Sequence, residues 1–277
     1  MDTQIDLAQY PLEAGSLPKD AIEKAVHMFR VHGTLLIKNV FPTEMVQLYQ
    51  DEFRKEYESL PQEEVHQSCM EVGDKRYMFT IKLKEPFNDP GLYASQRLLP
   101  ILNGLLGTDC AIQSFGAVCA YPGAEMQHYH KDHPALFTDA GGINAFLPPY
   151  ALHVVIPLID LNEQCGTTAV WPGSHRKKIK REMAKPGISE ADMLKGATLP
   201  YPKMGDCFLM DFRLGHRGTA NRSNHARTIL YLVYSRVWFQ DHTNFNKQIR
   251  LDIDEAELEK IPQQHRGLFI NVRLDSR

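Results

Sequence analysis

A chain of 277 residues with a formal net charge of -3 offers no basic footprint for nucleic acid or for an anionic membrane. Its 43% hydrophobic and 23% charged residues are those of an ordinary globular protein, which excludes the disordered and fibrous classes. No apolar run approaches the roughly 20 residues that span a bilayer, and the opening MDTQIDLAQYP has neither the basic lead nor the apolar core of a signal peptide.

The five cysteines, Cys69, Cys110, Cys119, Cys165 and Cys207, are odd in number and free of CxxC spacing. That argues against a disulfide framework or a cysteine-based zinc site, and reduced thiols in a cytoplasm fit best. The local run Arg176-Lys177-Lys178 reads as a solvated face.

In chain order, Ala21, Ile22, Ala25, Val26 and Phe29 recur at helical spacing, with Asp20 as the expected N-cap and Gly33 as the stop. Residues 34–40 (TLLIKNV) read as a buried strand, and Thr43 is expected to cap a second, covering helix. Residues 75–84 alternate as a strand, and Pro86 and Pro90 separate them from a helix over 91–106. Short strand-like runs then dominate, at 111–120, 124–132, 152–158, 167–170, 207–211 and 229–238, with turns at Tyr121-Pro122-Gly123, Pro148-Pro149, Pro172-Gly173 and Gly205-Asp206. A charged insert at 176–203 is expected to hold one short helix at 189–194, its first turn framed by Ser189 and Asp192. The tail offers a helix at 254–258 and an apolar cluster, Leu268-Phe269-Ile270.

The expected fold is therefore mainly β with flanking helices, a double-stranded β-helix of the jelly-roll or cupin-like kind. No repeat, low-complexity tract or linker divides it. We expect one domain over 1–277, with N-terminal helices and strands at 18–106, the β core at 107–240 and a helical tail at 241–277.

The chemistry centres on Gln127-His128-Tyr129-His130-Lys131-Asp132-His133. In an extended strand His130 and Asp132 share a face and can grip one ion from the same side. A third ligand must come from elsewhere, and His216, after the run Cys207-Phe208-Leu209-Met210-Asp211, is the candidate. Two imidazoles and one carboxylate with open positions form the facial site of non-haem Fe(II) oxygenases. The same set also suits a catalytic zinc site that activates water. Arg227 lies eleven residues beyond His216, and its planar fork can pair both oxygens of a distal carboxylate, which a zinc hydrolase does not need. His128 shares the face of His130, so a local HxHxD ligand set stays open beside a role lining the cosubstrate or a structural one. His133, before Pro134, reads as a turn residue, Trp171 as a core aromatic, and His153 equally as a core or a pocket histidine.

Taken together, the His130/Asp132 pair, the turn Trp171-Pro172-Gly173-Ser174-His175, His216, Arg227 and the opening helix followed by Gly33-Thr34-Leu35-Leu36-Ile37 resemble the phytanoyl-CoA dioxygenase family of Fe(II)/2-oxoglutarate oxygenases. The resemblance covers residues 20–240. It implies iron held by His130, Asp132 and His216, 2-oxoglutarate anchored by Arg227, and molecular oxygen as the oxidant. From relatives that tailor alkaloids and terpenoids it also implies Gln127 and Thr168 near the cosubstrate. Strict strand alternation would turn Gln127 away from His130, so its contribution requires a bend. Many family members carry a small hydroxyl residue two positions after the distal histidine; Gly218 stands there in this chain, with Thr219 as the nearest substitute donor.

The implied reaction is oxidation of a C–H bond in a small organic molecule coupled to decarboxylation of 2-oxoglutarate. Hydroxylation is expected first, with desaturation or ring formation as variants, in natural-product biosynthesis. Asp132 fills the position that related halogenases leave open, which disfavours halogenation. A non-catalytic cupin-like protein that binds or senses the metal and 2-oxoglutarate is the competing reading. The partners expected are a small-molecule substrate, no nucleic acid and no membrane, with the chain a monomer or homodimer. Residues 137–149 with the pair Gly141-Gly142, the strand around 76–84 and the segment 239–245 are expected to line the substrate pocket.

Overall fold

The computed structural model describes residues 3–60, 69–137, 142–177, 188–242 and 251–272. Residues 138–141 and 243–245 of the expected pocket lining, Lys178 of the basic run and 178–187 of the charged insert lie outside the described residues.

Helix α1 (Lys19–His32) buries Ala21, Ala25, Val26, Met28 and Phe29 on one face. It begins one residue before the expected cap: Pro18 holds the cap position without a side-chain bond, and Asp20 sits in the first turn, where its charge favours the helix N-terminus. Gly33 stops the helix in the left-handed conformation (φ 73°), its N–H donating to Phe29 O at 2.7 Å. A side chain there would also strike His175, whose Nδ1 lies 2.4 Å from where a Cβ would stand.

Strand β1 (Gln4–Asp6) pairs in parallel with β2 (Thr34–Lys38), an edge pairing that the sequence reading did not include. Helix α2 (Thr43–Phe53) starts on Thr43 itself, which therefore does not cap it. Strands β3 (Met70–Gly73) and β4 (Arg76–Thr80) follow. The helix expected over 91–106 is two pieces, α3 (Pro90–Tyr93) and α4 (Leu99–Leu106). Pro100 explains the restart, since a residue without an N–H is accommodated in the first turn of a helix and not in its interior.

The remaining strands are β5 (Ala111–Ala120), β6 (Ala151–Pro157), β7 (Thr168–Val170), β8 (Cys207–Asp211), β9 (His216–Gly218) and β10 (Arg227–Ser235). Helix α5 (Glu190–Met193) is capped by Ser189, whose Oγ accepts from Asp192 N at 3.1 Å and donates to Asp192 Oδ2 at 2.6 Å, as the sequence predicts. Helix α6 (Glu255–Lys260) occupies the expected tail position; beyond it Leu268 and Phe269 are buried while Ile270 is exposed.

Eight strands form one mixed sheet in the order β1-β2-β8-β6-β10-β5-β4-β3, and β7 with β9 forms the start of a second. This mostly-β sheet with flanking helices is the jelly-roll architecture expected. The small sheet is widened on one side by a bridge between Val170 and Thr198 and on the other by one between His130 and His216. Residues 124–132, expected as a full strand, share with β9 the backbone bonds Gln127 N to Gly218 O (2.9 Å) and the reciprocal His130–His216 pair (3.0 and 2.9 Å). A partner of three residues cannot sustain a nine-residue ladder, so the segment is free to bend.

The main core lies between the large sheet and the helices and includes Phe29, Phe53, Phe79, Phe87 and Phe115, all fully buried. Each such ring contributes on the order of 2–3 kcal/mol through removal from water. Within the same packing, burial pushes the His175 imidazole down to about 4. The unfolded chain protonates this group near 6.5 while the folded one resists, so stability falls as pH drops from about 6.5 toward 4, by up to about 3 kcal/mol. Urea unfolding of metal-free protein at pH 7.5 and 4.5 is expected to give a smaller difference for His175→Asn than for the parent chain.

Candidate metal centre and cosubstrate pocket

The bridge between His130 and His216 brings two imidazoles together, with ring centroids 4.3 Å apart. One ligand atom each from His130, Asp132 and His216 all lie within 4.8 Å of one another. The tautomers suit a metal. His130 Nδ1 lies 2.9 Å from His128 O and His216 Nδ1 lies 3.0 Å from Leu214 O. A carbonyl only accepts, so each Nδ1 carries the proton and each Nε2 presents a lone pair.

Burial alone would raise the Asp132 carboxyl, but His216 and His153 beside it hold it well below the usual carboxylate range. Burial and the neighbouring His216 push His130 down, which keeps its imidazole neutral. A half-buried carboxylate and two imidazoles whose Nε2 atoms converge on it are a donor set that a divalent cation completes by displacing protons, and they fit Fe(II).

Asp132 divides its two oxygens. Oδ1 faces His216 Nε2 at 3.6 Å, and Oδ2 lies 3.1 Å from Nε2 of His153. His153 stands on β6 with its ring 4.8 Å from that of Phe212 and 6.1 Å from that of Tyr231. Of the core and pocket roles open for it, this contact favours the second: the imidazole lies against the oxygen of Asp132 turned away from His216. His128 is exposed; its ring is tilted against that of His130 at 5.0 Å, and its carbonyl is what orients His130.

The turn Trp171-Pro172-Gly173-Ser174-His175 locks β9 in place. Trp171 N donates to Gly215 O at 3.0 Å, Gly173 N to His32 O at 2.7 Å, and Ser174 Oγ accepts from Gly215 N at 2.8 Å. Lys131, between the two paired residues, donates to Ser174 O at 2.8 Å and Lys177 O at 2.7 Å, so the same turn also fixes the His130–Asp132 segment. Trp171 is spent on this packing: its Nε1 donates to Lys195 O at 3.0 Å, Tyr129 meets it edge-on at 5.0 Å, and the Arg217 guanidinium lies 5.4 Å from its ring.

At the other end of β9 the structure gathers Gln127, Thr168 and Arg227. Thr168 pairs with Gly218 across the small sheet. Gln127 Oε1 accepts from Gly218 N at 2.9 Å and its Nε2 donates to Val72 O at 2.6 Å, so its amide bridges β9 to β3. Arg227 is 4% exposed, and its Nη1 donates to Cys165 O (3.1 Å), Thr219 O (3.1 Å) and Thr167 O (3.4 Å). Thr219, the substitute hydroxyl, donates to Thr167 O at 3.0 Å and accepts from Thr167 N at 2.8 Å; it holds the β7–β9 connection together.

Opposite this pocket an aromatic cluster of Tyr150, Phe212, Tyr231 and Phe239 packs beside Asp132 and His153. His133, read from sequence as a turn residue, stands in a bend with its ring buried in this cluster, 5.2 Å from that of Phe239 and 6.0 Å from that of Tyr150. His133, Leu136, Trp238, Phe239, Gln240 and His242 line a cavity of about 370 Å³. Residues 144–147 are held nearby by Arg213, which donates to Asn144 O (3.2 Å) and Leu147 O (3.0 Å) while paired with Asp211 through Nε (2.8 Å) and Nη2 (2.7 Å). Sequence reading missed Arg213 as part of the site, because its carbonyl partners are distant in the chain, and it left the roles of His153 and Lys131 open.

Comparison with known proteins agrees with this geometry. The sequence profile of the phytanoyl-CoA dioxygenase (PhyH) family matches residues 29–229. Among solved structures, HygX from Streptomyces hygroscopicus, with nickel, 2-oxoglutarate and hygromycin B bound, is similar at a TM-score of 0.60 and 18% identity, over 78% of this chain and 88% of that one. The non-heme alpha-ketoglutarate-dependent epimerase SnoN from nogalamycin biosynthesis is similar at 0.57 and 14%, over 79% of this chain and 82% of that one. No described helix is long and apolar enough to cross a membrane. The chain belongs to the phytanoyl-CoA dioxygenase (PhyH) family, and it is an Fe(II)- and 2-oxoglutarate-dependent oxygenase.

Proposed function

We propose that this enzyme hydroxylates a C–H bond of a medium-sized, largely apolar small molecule in natural-product biosynthesis. His130, Asp132 and His216 hold the iron, and Arg227 anchors the distal carboxylate of 2-oxoglutarate, with Gln127 and Thr168 flanking it. The observation that carries the reading is the convergence of His130, Asp132 and His216, whose ligand atoms all lie within 4.8 Å of one another. Bound iron with 2-oxoglutarate supplies the oxidising power that removes a substrate hydrogen. The protein's share is to orient the substrate carbon and keep water out. The cavity lining, with His133 and Phe239 buried and Trp238 at the rim, favours an apolar face on the substrate, while His242 and Gln240 offer polar contacts.

The HygX structure holds hygromycin B and SnoN is an epimerase from nogalamycin biosynthesis, which supports, for this chain, a tailoring role on a natural-product scaffold. The family name carries no weight for a CoA ester. We take the enzyme to work in the cytoplasm as a monomer or homodimer, in keeping with its five free thiols.

Anaerobic addition of Fe(II) and 2-oxoglutarate is expected to give a visible charge-transfer band that is lost in His216→Ala. No band in the parent protein would sink the reading. A screen of candidate substrates scored by succinate release then identifies the true one. A product heavier by one oxygen atom supports hydroxylation, and a product of unchanged mass would point to the epimerase chemistry named for SnoN.

A further inference from the structure

His133 follows Asp132 directly, and consecutive Cα atoms lie about 3.8 Å apart, so a group bound by His133 is held close to the metal centre. Its ring is buried and gripped by three aromatic neighbours. It stacks on Phe212 (centroids 6.3 Å apart, planes at 22°), Phe239 meets it edge-on at 5.2 Å, and Tyr150 does so at 6.0 Å. Phe212 packs in turn against His153, the imidazole beside Asp132.

The edge that this ring leaves open is an acceptor. Nδ1 lies 2.8 Å from Pro134 O, a carbonyl that only accepts, so Nδ1 carries the proton of the neutral ring. The Tyr150 hydroxyl oxygen lies 3.5 Å from the same nitrogen and can share that proton. Nε2 is left with a lone pair and has no hydrogen-bond partner among the described residues. His133 lines the cavity of about 370 Å³ whose other walls include Leu136, Phe239 and the exposed Trp238. That volume is within the range of small-molecule pockets. An acceptor buried among apolar rings has lost the hydrogen bond that water would give it, so a donor on a ligand is favoured there. The Arg213 guanidinium already lies 5.2 Å from the Tyr150 ring, so a second cation is repelled and the donor that fits is neutral.

We propose that His133 is a substrate-specificity residue: its Nε2 accepts a hydrogen bond from a hydroxyl group on an otherwise apolar cyclic scaffold and so holds that scaffold beside the metal centre. The proposal deepens the reading of this cavity as the substrate pocket and rests on it. The same lone pair turns away a ketone, which brings only acceptors. A hydrocarbon leaves Nε2 without a donor.

The test reads binding from the shift of the charge-transfer band given anaerobically by Fe(II) and 2-oxoglutarate. The probes are borneol, camphor and camphane, which share one cage and differ as alcohol, ketone and hydrocarbon. In the parent protein the dissociation constant of borneol is expected at least about tenfold below those of the other two. His133→Phe keeps the ring stack and removes the nitrogen. It should bind all three within about threefold of one another, with 2-oxoglutarate affinity within about threefold of the parent value. His133→Gln, whose amide both accepts and donates, should bind borneol and camphor alike and camphane more weakly, an exchange of preference that a merely structural role would not produce. A parent that does not favour borneol over camphor, or a phenylalanine variant that still does, overturns the proposal. A parent that shows the band but no shift with any probe overturns it too and leaves the reading of iron and cosubstrate standing. No band in the parent is instead the failure of that reading, and the proposal falls with it. Should His133→Phe fold poorly, an undiminished preference for borneol over camphor in His133→Gln overturns the proposal equally.

Discussion

Asp132→Ala is expected to lower Fe(II) affinity by at least about a thousandfold and to abolish substrate-stimulated succinate release, with little loss of secondary structure. Asp132 is the only anionic member of the cluster, and its carboxyl is held charged by His216 and His153 against the cost of burial. Removing it leaves two neutral imidazoles whose Nε2 lone pairs cannot balance a divalent charge. His153→Phe provides the graded comparison. A phenyl ring can keep the packing against Phe212 and Tyr231 but loses the nitrogen that lies 3.1 Å from Asp132 Oδ2. The carboxylate keeps its charge and loses its orientation, so metal affinity should fall by about 10–100-fold, as for other residues that orient a metal's ligands. Competition against a chelator of known affinity measures both. Parental affinity in His153→Phe would mean that the turn around Lys131 and Ser174 orients Asp132 unaided.

Arg227→Leu is expected to raise the KM for 2-oxoglutarate by about 100-fold while metal content stays near that of the parent chain. The guanidinium is 4% exposed, so its pairing with a carboxylate is shielded from water and worth more than a surface contact. The substitution also strips donors from Cys165 O, Thr167 O and Thr219 O, which adds a stability loss of about 1–3 kcal/mol. Arg227→Lys separates the two effects, since it keeps a charge and some donors but loses the fork. Its KM should lie between the parent and leucine values. Equal loss of metal and cosubstrate in Arg227→Leu would show that the arginine supports the metal residues instead.

The sequence by itself determined the residue types and their order. The set His130, Asp132 and His216 was legible as a group that could hold a metal, because metal binding demands particular side chains and few others can do that chemistry. The short strands and most helices were legible because apolar spacing follows the period of the local backbone. Boundaries were less so: Pro100 splits the helix expected over 91–106, and Asp20 and Thr43 lie inside the helices they were expected to cap.

Tertiary structure decided what depends on partners far along the chain. His153 gained its place beside Asp132 from pairing of β6 in the large sheet, and β1 found β2 as a parallel neighbour across a helix. Residues 124–132 bend because β9 is too short to hold them in a ladder, which is how Gln127 reaches Gly218. Above all, the absence of a side chain at Gly218 read in sequence as a missing hydrogen bond. In the fold it is the space occupied by Arg76, a residue 142 positions away that only sheet register brings there. Local periodicity names faces of strands; which faces meet is fixed by long-range pairing, and no window of sequence contains it.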